Sequence, residues 1–203
     1  MGNNNDNKNQ IEKALTEYSN ILKNYISGFR YNHSVSVANC AMSLAMRYEV
    51  PLLDALIAGM LHDIAKKINN SEMLNLCNEY NIELSDDDKK SIPVIHSYLG
   101  AYIAEHELNI TNKDILNAIY NHTLGRTNMS MLEKIIFVAD YIEPLRSKRE
   151  NMDEIRKMAF IDIDKCIVLI IDSCLKHLHS GNIFVHNKMI ETYEYYKNIT
   201  RGN

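Results

Sequence analysis

The chain has 203 residues, and its 46% share of hydrophobic residues is enough for the core of one domain. A formal net charge of −4 excludes a general electrostatic attraction to nucleic acid or to an anionic membrane, so a phosphate-bearing ligand would need a local cluster of cations. The sequence starts without the pattern of a signal peptide and contains no apolar run of about 18 residues. We therefore expect a cytoplasmic location, with neither nucleic acid nor a membrane as a partner.

The spacing of the apolar residues predicts an all-α protein, because apolar positions recur every three or four residues. Residues 1–10 are polar and Asn-rich, which predicts a disordered lead-in before one helical domain over 11–203. The acidic-then-basic stretch 86–90 is typical of a solvated turn. The predicted helices cover about 11–28, 31–48, 52–66, 71–80, 93–108, 111–122, 130–142 and 163–180, and a last helix starts near 187.

The adjacent residues His62 and Asp63, in the segment MLHDIAK, stand near the end of a strongly apolar predicted helix. Burying an imidazole and a carboxylate without partners is costly, and a shared cation removes that cost. Asp140 poses the same problem, because it interrupts the apolar run 135–142 on its core-facing side. His33 lies at the start of a predicted helix, where its ring can point towards a neighbouring helix. These nitrogen and oxygen ligands suit a site for one or two metal ions.

The order of the histidines and aspartates resembles the H…HD…H…H…D signature of HD-domain phosphohydrolases over about residues 25–150. The matching residues are His33, His62, Asp63, His96, His122 and Asp140. The blocks RYNHSVSVA, GMLHDIAK, IHSYLGA, NHTLGR and VADYIEPLR are similar to one branch in particular, the YqeK family of symmetrical bis(5′-nucleosyl)-tetraphosphatases. The resemblance implies a single-domain helical bundle of the HD-domain type, with the metal-site core at about 25–150 and C-terminal helices over 151–203.

The same resemblance implies the metal and the reaction. The metal would be one or two iron ions, with Mn or Co as substitutes, bound by His33, His62, Asp63 and Asp140. His96 and His122 would either line the phosphate pocket or hold a second metal. A metal-bound water would attack an inner phosphate of diadenosine tetraphosphate and give two ADP. ADP or GDP would then bind as the product, and a homodimer is left open.

Several residues near these ligands are candidates for substrate binding. Lys66 follows His62 by four residues, Arg30 precedes His33, and Arg146 follows the helix of Asp140, so each cation could reach phosphate. Asp63 and Lys66 are predicted to take part in catalysis. The predicted substrate-binding residues are Arg30, His33, Lys66, His96, His122, Thr123, Tyr141 and Arg146. Lys67, Arg126, Lys148 and Arg149 would add only to the field at the pocket mouth.

Two other functions remain open from the sequence. An HD-type nucleotidase or phosphomonoesterase would use the same ligands with a shorter pocket, and product analysis separates it from a symmetrical hydrolase. A non-catalytic nucleotide-binding helical sensor would keep the fold without turnover. The histidines outside the series, at positions 106, 177, 179 and 186, are interpreted as surface or hydrogen-bonded structural residues.

Overall fold

The computed structural model describes residues 3–146 and 151–201, which form eleven α-helices and a short 3₁₀ helix at Ile92–Val94. The α-helices are α1 (Asn3–Tyr25), α2 (Phe29–Tyr48), α3 (Leu52–Leu61), α4 (Asn70–Glu79), α5 (Asp86–Lys90), α6 (His96–His106), α7 (Lys113–Asn121), α8 (Met131–Ile142), α9 (Met152–Ile161), α10 (Ile163–Ser180) and α11 (Asn187–Thr200). Neither of these two ranges contains a strand, so the predicted all-α class is confirmed. No helix in them is long and apolar enough to span a bilayer.

A cluster of buried apolar side chains that extends from Ala14 to Tyr196 holds the helices together. Helices α2, α3, α7 and α8 pack against one another at its centre, with α1 against α3, α6 against α7, and α10 against α8. Helices α9 and α11 pack against α10. The central helices and α6 carry the residues of the predicted metal site, so core packing also determines how those residues meet.

Gly59 allows α3 to approach α2 closely. A Cβ atom at this position would lie 2.6 Å from the Cα of Ala38, a distance that no side chain tolerates. His62 follows Gly59 by three residues, and His33 precedes Ala38 by five. The close approach therefore brings the end of α3 against the part of α2 that carries His33.

Helix α3 ends at Leu61, five residues before the predicted end at Lys66. Residues 62–67 form tighter turns, in which the N–H of Lys66 donates to the carbonyl of Asp63 at 2.9 Å. The Nδ1 of His62 bonds the carbonyl of Gly59 at 2.7 Å and so competes for the acceptor that a continued helix would use. The sequence pattern predicts that Lys66 lies one α-helical turn above His62. The tighter turns at 62–67 show that this prediction is wrong.

Helix α1 begins at Asn3 and so includes residues 3–10 of the segment for which the sequence predicts a disordered lead-in. The chain contains neither Pro nor Gly from residue 3 to residue 27, and nothing local interrupts a helix there. Lys8 and Glu12 form an ion pair of 3.8 Å across one exposed turn. Polar composition alone is therefore a weak argument against a helix at this end of the chain.

Residues 86–90 form the short helix α5, not a solvated turn, because Ser85 and Asp88 make a capping box. Asp88 is buried, and its Oδ1 accepts hydrogen bonds from the hydroxyl of Tyr98 at 2.8 Å and from Nε2 of His186 at 3.1 Å. Burial acts to raise the pKa of Asp88, but the bonds from Ser85, Tyr98 and His186 lower it below its ordinary value. His186 is therefore a hydrogen-bonded structural residue in the interior.

Asp88→Ala is expected to lower the free energy of unfolding by about 3 kcal/mol, because it leaves the buried donors of Tyr98 and His186 without an acceptor. Urea denaturation followed by circular dichroism measures this change. Asp86→Ala is the matched control, since Asp86 lies in the same helix with a side chain 91% exposed. The control should cost only a few tenths of a kcal/mol. Equal losses in the two variants would contradict the structural role of Asp88.

Candidate metal centre

The four histidines and two aspartates of the predicted series converge at one place in the core. Their ligand atoms lie within 4.8 Å of one another in three overlapping groups, and all of these residues except the partly exposed Asp140 are buried. The groups are His33, His62 and Asp63; His62, His122 and Asp140; and Asp63, His96 and His122. Because the groups share members, they form one cluster and not three separate sites.

Asp63 lies between two pairs of imidazoles. Its Oδ2 is 3.9 Å from Nε2 of His33 and 3.8 Å from Nε2 of His62. Its Oδ1 is 3.0 Å from Nε2 of His96 and 3.7 Å from Nε2 of His122. Burial acts to raise the pKa of Asp63, but the surrounding imidazoles and a neighbouring ammonium hold it well below its ordinary value. The carboxylate is therefore ionised, with one oxygen facing each pair.

Three of the histidines hold their rings in the same way. Each lies at an end of a helix, and the Nδ1 of each donates to the backbone carbonyl three residues earlier. Carbonyls near a helix end lack a helical partner and are available for such bonds. With the proton on Nδ1, the lone pair of Nε2 points into the cluster. The Nδ1 to oxygen distances are 2.7 Å for His62 and Gly59, 2.6 Å for His96 and Pro93, and 2.7 Å for His122 and Ile119.

The cluster fits a bound cation, because the Nε2 atoms of buried imidazoles converge there on two carboxylates. The Nε2 of His62 is fully buried and has no hydrogen-bond partner among the described residues. Its nearest carboxylate oxygen, Oδ1 of Asp140, is 3.6 Å away, too far for a hydrogen bond. The Nε2 atoms of His96 and His122 are only 3.1 Å apart, and burial lowers the pKa of His96 to about 4. A divalent cation would satisfy these nitrogens, and four imidazoles with two carboxylates are ligands that such a cation accepts.

His33 is held differently, by two carboxylates from the end of α8. Its Nε2 is 2.9 Å from Oδ1 of Asp140, and its Nδ1 is 3.0 Å from Oε1 of Glu143. Glu143 is fully buried, and it is not among the functional residues predicted from the sequence. One signal was available: an acidic residue directly after the apolar helix, three residues beyond Asp140, requires a buried partner for the same reason as Asp140 does.

Two arginines each contact one carboxylate of the cluster. Arg30 donates from Nη1 to Oδ2 of Asp63 at 3.1 Å, and its side chain is 38% exposed. Arg146 donates from Nη2 to Oδ1 of Asp140 at 2.5 Å and from Nε to the carbonyl of Asp140 at 2.9 Å, with its side chain 30% exposed. Both guanidinium groups therefore touch the cluster and remain accessible to an anion from solvent.

Lys66 is a third cation at the cluster. Its Nζ lies 3.2 Å from both ring nitrogens of His96. Burial lowers the pKa of Lys66, with a further lowering by Arg30 and Arg146, while Asp63 acts in the opposite direction. The turn that replaces the predicted helix end thus still brings this ammonium next to the metal ligands.

A cavity of about 200 Å³ adjoins the cluster. The hydroxyl of Tyr141 donates to Oγ of Ser173 at 2.8 Å, and Oγ1 of Thr123 lies 3.3 Å from Oγ of Ser97. A larger cavity of about 600 Å³ between α9 and α10 contains none of the clustered histidines or aspartates, so the smaller one is the better candidate for a substrate. The smaller cavity is lined by His122, Thr123, Phe137, Asp140, Tyr141, Arg146, Ile170 and Cys174.

Four basic residues are predicted from the sequence to add only to the electrostatic field at the mouth of the pocket, and two of them lie within the described residues. Lys67 donates from Nζ to the hydroxyl of Ser27 at 2.8 Å. Arg126 forms an ion pair of 2.7 Å with the buried carboxylate of Glu133, so its charge is largely neutralised. The other two, at positions 148 and 149, lie outside the described residues.

Known proteins are similar to this chain in sequence and in fold. Residues 30–145 of the chain match the HD domain family. The chain is 37% identical over 189 residues to a symmetrical bis(5′-nucleosyl)-tetraphosphatase of Staphylococcus aureus, covering 92% of this chain and 94% of that protein. A Bacillus subtilis protein of the same name is 35% identical, with 86% and 92% covered. A crystal structure described as a predicted HD superfamily hydrolase involved in NAD metabolism, from Clostridium acetobutylicum, superposes with a TM-score of 0.87 at 37% identity, with 92% and 97% covered.

The matched family and the similar structure are consistent with what is seen in this chain, a cluster of histidines and aspartates on a helical core. The fold and the site together are those of an HD-domain hydrolase. The chain belongs to the HD-domain family, in the group that contains the symmetrical bis(5′-nucleosyl)-tetraphosphatases.

Proposed function

We propose that this protein is a metal-dependent hydrolase that cleaves diadenosine tetraphosphate symmetrically into two ADP. Relatives that are 34–37% identical over most of the chain carry the name of this activity. The observation that carries the proposal is that four Nε2 atoms and two carboxylates converge between Arg30 and Arg146. Such a site combines metal ligands with cations that can bind phosphate.

The metal would be iron, in one or two ions. The first ion would be held by His33, His62, Asp63 and Asp140. His96 and His122 would hold a second ion or line the phosphate pocket. Mixed nitrogen and oxygen ligands suit Fe, Mn or Co, and the choice of iron among them rests on the resemblance of the motifs to HD-domain phosphohydrolases. When bound, the metal supplies Lewis acidity at a phosphoryl oxygen and brings the pKa of water to about 7.

Cations of the chain itself would hold the tetraphosphate. A protein of net charge −4 must neutralise several phosphate charges locally, and Arg30, Lys66 and Arg146 all contact residues of the cluster. The ammonium of Lys66 would contact the phosphoryl group under attack, which gives this residue a catalytic role. The two arginines would orient the neighbouring phosphates, so that a water attacks an inner phosphorus and ADP leaves.

The cavity beside the cluster would accept part of one retained ADP or GDP. Its volume of about 200 Å³ is smaller than that of most ligand pockets, so it fits a portion of the substrate and not the whole dinucleotide. Thr123 would bond a phosphate oxygen. The hydroxyl of Tyr141 is engaged by Ser173, so the ring face is the part that would pack against the nucleoside. A homodimer and a cytoplasmic location remain predictions from the sequence.

Product analysis in water enriched with oxygen-18 tests this function. The metal-loaded protein should convert diadenosine tetraphosphate to ADP alone, with one label in half of the ADP molecules, because one water enters for each pair of products. ATP plus AMP would contradict the symmetrical cut. AMP and p-nitrophenyl phosphate serve as comparison substrates. Faster release of phosphate from AMP would support the nucleotidase, and binding of the dinucleotide without turnover would support the sensor.

A further inference from the structure

Glu143 follows α8 directly, is fully buried, and is not one of the candidate metal ligands. Its Oε1 accepts a hydrogen bond from Nδ1 of His33 at 3.0 Å, and its Oε2 accepts one from the backbone N–H of Leu145 at 2.6 Å. Both oxygens are therefore engaged, each by a donor. The carboxylate cannot rotate without breaking one of these bonds, so its position relative to the ring of His33 is fixed.

His33 needs such a partner because of its place in the chain. The other three site histidines lie at helix ends, where backbone carbonyls accept from Nδ1. His33 lies in the second turn of α2, inside a helix of 20 residues, where the carbonyls are engaged in helical bonds. Its Nδ1 therefore requires an acceptor from another element. Glu143 provides that acceptor from 110 residues further along the chain.

We propose that Glu143 is a positioning residue for the metal ligand His33. Its carboxylate keeps a proton on Nδ1, so that Nε2 offers its lone pair to a divalent cation, and its negative charge makes the imidazole a stronger ligand. This inference rests on the metal site of the proposed function. Without an acceptor at Nδ1, the proton would move to Nε2, which would donate a hydrogen bond to Oδ1 of Asp140, 2.9 Å away. A protonated Nε2 cannot bind a metal.

Glu143→Gln tests the proposal with almost no change in shape. The amide has one oxygen and one NH₂ group, whereas His33 and Leu145 both present donors to the native side chain. If the oxygen faces Leu145, the NH₂ group faces Nδ1 of His33 and favours the tautomer with its proton on Nε2. If the oxygen faces His33, the NH₂ group of the amide faces the backbone N–H of Leu145, and two donors meet there without an acceptor. Neither orientation reproduces both native bonds.

The experiment measures Mn²⁺ affinity by electron paramagnetic resonance, together with the nitrogen-15 spectrum of the His33 ring in metal-free protein. Glu143→Gln is expected to weaken Mn²⁺ binding by about 10- to 100-fold and to move the proton of His33 from Nδ1 to Nε2. Glu143→Asp, which keeps two acceptor oxygens on a shorter side chain, should restore part of the affinity.

Glu133→Gln is the matched control. Glu133 is a buried glutamate on α8. Its carboxylate accepts hydrogen bonds from Arg126, Asn121 and Ser130, and none of these is a candidate metal ligand. Its variant should therefore lose stability while binding Mn²⁺ within about twofold of wild type. Unchanged affinity in Glu143→Gln, or an equal loss in Glu133→Gln, would overturn the proposal. The wild-type spectrum is a test that needs no variant, since an unprotonated Nδ1 in His33 would also overturn it. A wild type that binds no Mn²⁺ would instead refute the metal site itself, and the spectrum would still report how His33 is held.

Discussion

Asp63→Ala is expected to abolish ADP formation, with a loss of about 1,000-fold or more, and to remove bound metal. The reason lies in the position of this carboxylate, which directs one oxygen at His33 and His62 and the other at His96 and His122. Among the described residues, Asp63 is the only carboxylate with oxygens within 4.0 Å of all four imidazoles. Without Asp63 the imidazoles would have to hold a doubly charged cation with much less compensating charge. Elemental analysis and the rate of ADP formation measure the two effects on one sample.

The matched control is Asp54→Ala, which removes an aspartate from α3 that bonds Asn112 and does not contact the cluster. Its metal content and turnover should equal those of the wild type. Circular dichroism should show the same helical content in both variants. The metal-dependent part of thermal stability should be lost only in Asp63→Ala, because a ligand that binds only the folded state stabilises that state. Full metal occupancy in Asp63→Ala would contradict the assignment of the site.

Arg146→Ala is expected to weaken binding of both diadenosine tetraphosphate and ADP by about 10- to 100-fold, or roughly 1.4–2.8 kcal/mol. The guanidinium group contacts Asp140, lines the cavity beside the cluster and is partly exposed, so it can reach a phosphate that extends from the metal site. Hydrolysis of p-nitrophenyl phosphate should fall much less, because a single phosphoryl group needs fewer cations outside the metal site. Isothermal titration with ADP and steady-state kinetics with both substrates measure the difference.

The small ester also reports whether the metal centre survives the substitution, since Arg146 is bonded to a candidate metal ligand. Arg47→Ala is the matched control, because Arg47 bonds the carbonyl of Phe160 at the exposed ends of α2 and α9. That variant should bind ADP like the wild type. Equal losses for the dinucleotide and the ester in Arg146→Ala, with the metal still bound, would show that Arg146 does not act as a phosphate-binding residue.

Most of the helical fold was predictable because its signals are local. Pro51 marks the start of α3, and the capping box of Ser130 and Glu133 marks the start of α8. Local signals fail where a side chain competes with the backbone, as His62 does at the end of α3. Helix α9 was not predicted from the sequence. Its exposed apolar residues Phe160 and Ile161 obscure the helical spacing of the apolar residues on its buried face.

The candidate site was predictable as a set of residue types and not as an arrangement. Buried histidines and aspartates without local partners indicate that a shared ligand is needed, and this argument leads to His62, Asp63 and Asp140. The direction of each oxygen of Asp63 depends on how α2, α6 and α7 pack at the end of α3. No local sequence pattern predicts this packing. Glu143 was missed for the same reason, since its partner His33 lies 110 residues away in the chain.

The most direct test of a metal-dependent symmetrical hydrolase is a titration of metal-free protein with Fe²⁺ under anaerobic conditions, in which bound iron and ADP formation are followed together. We expect ADP to be the sole product and its rate of formation to rise with bound iron until both saturate at the same one or two equivalents per chain. Full activity in metal-free protein, or ATP plus AMP as the products, would contradict this account.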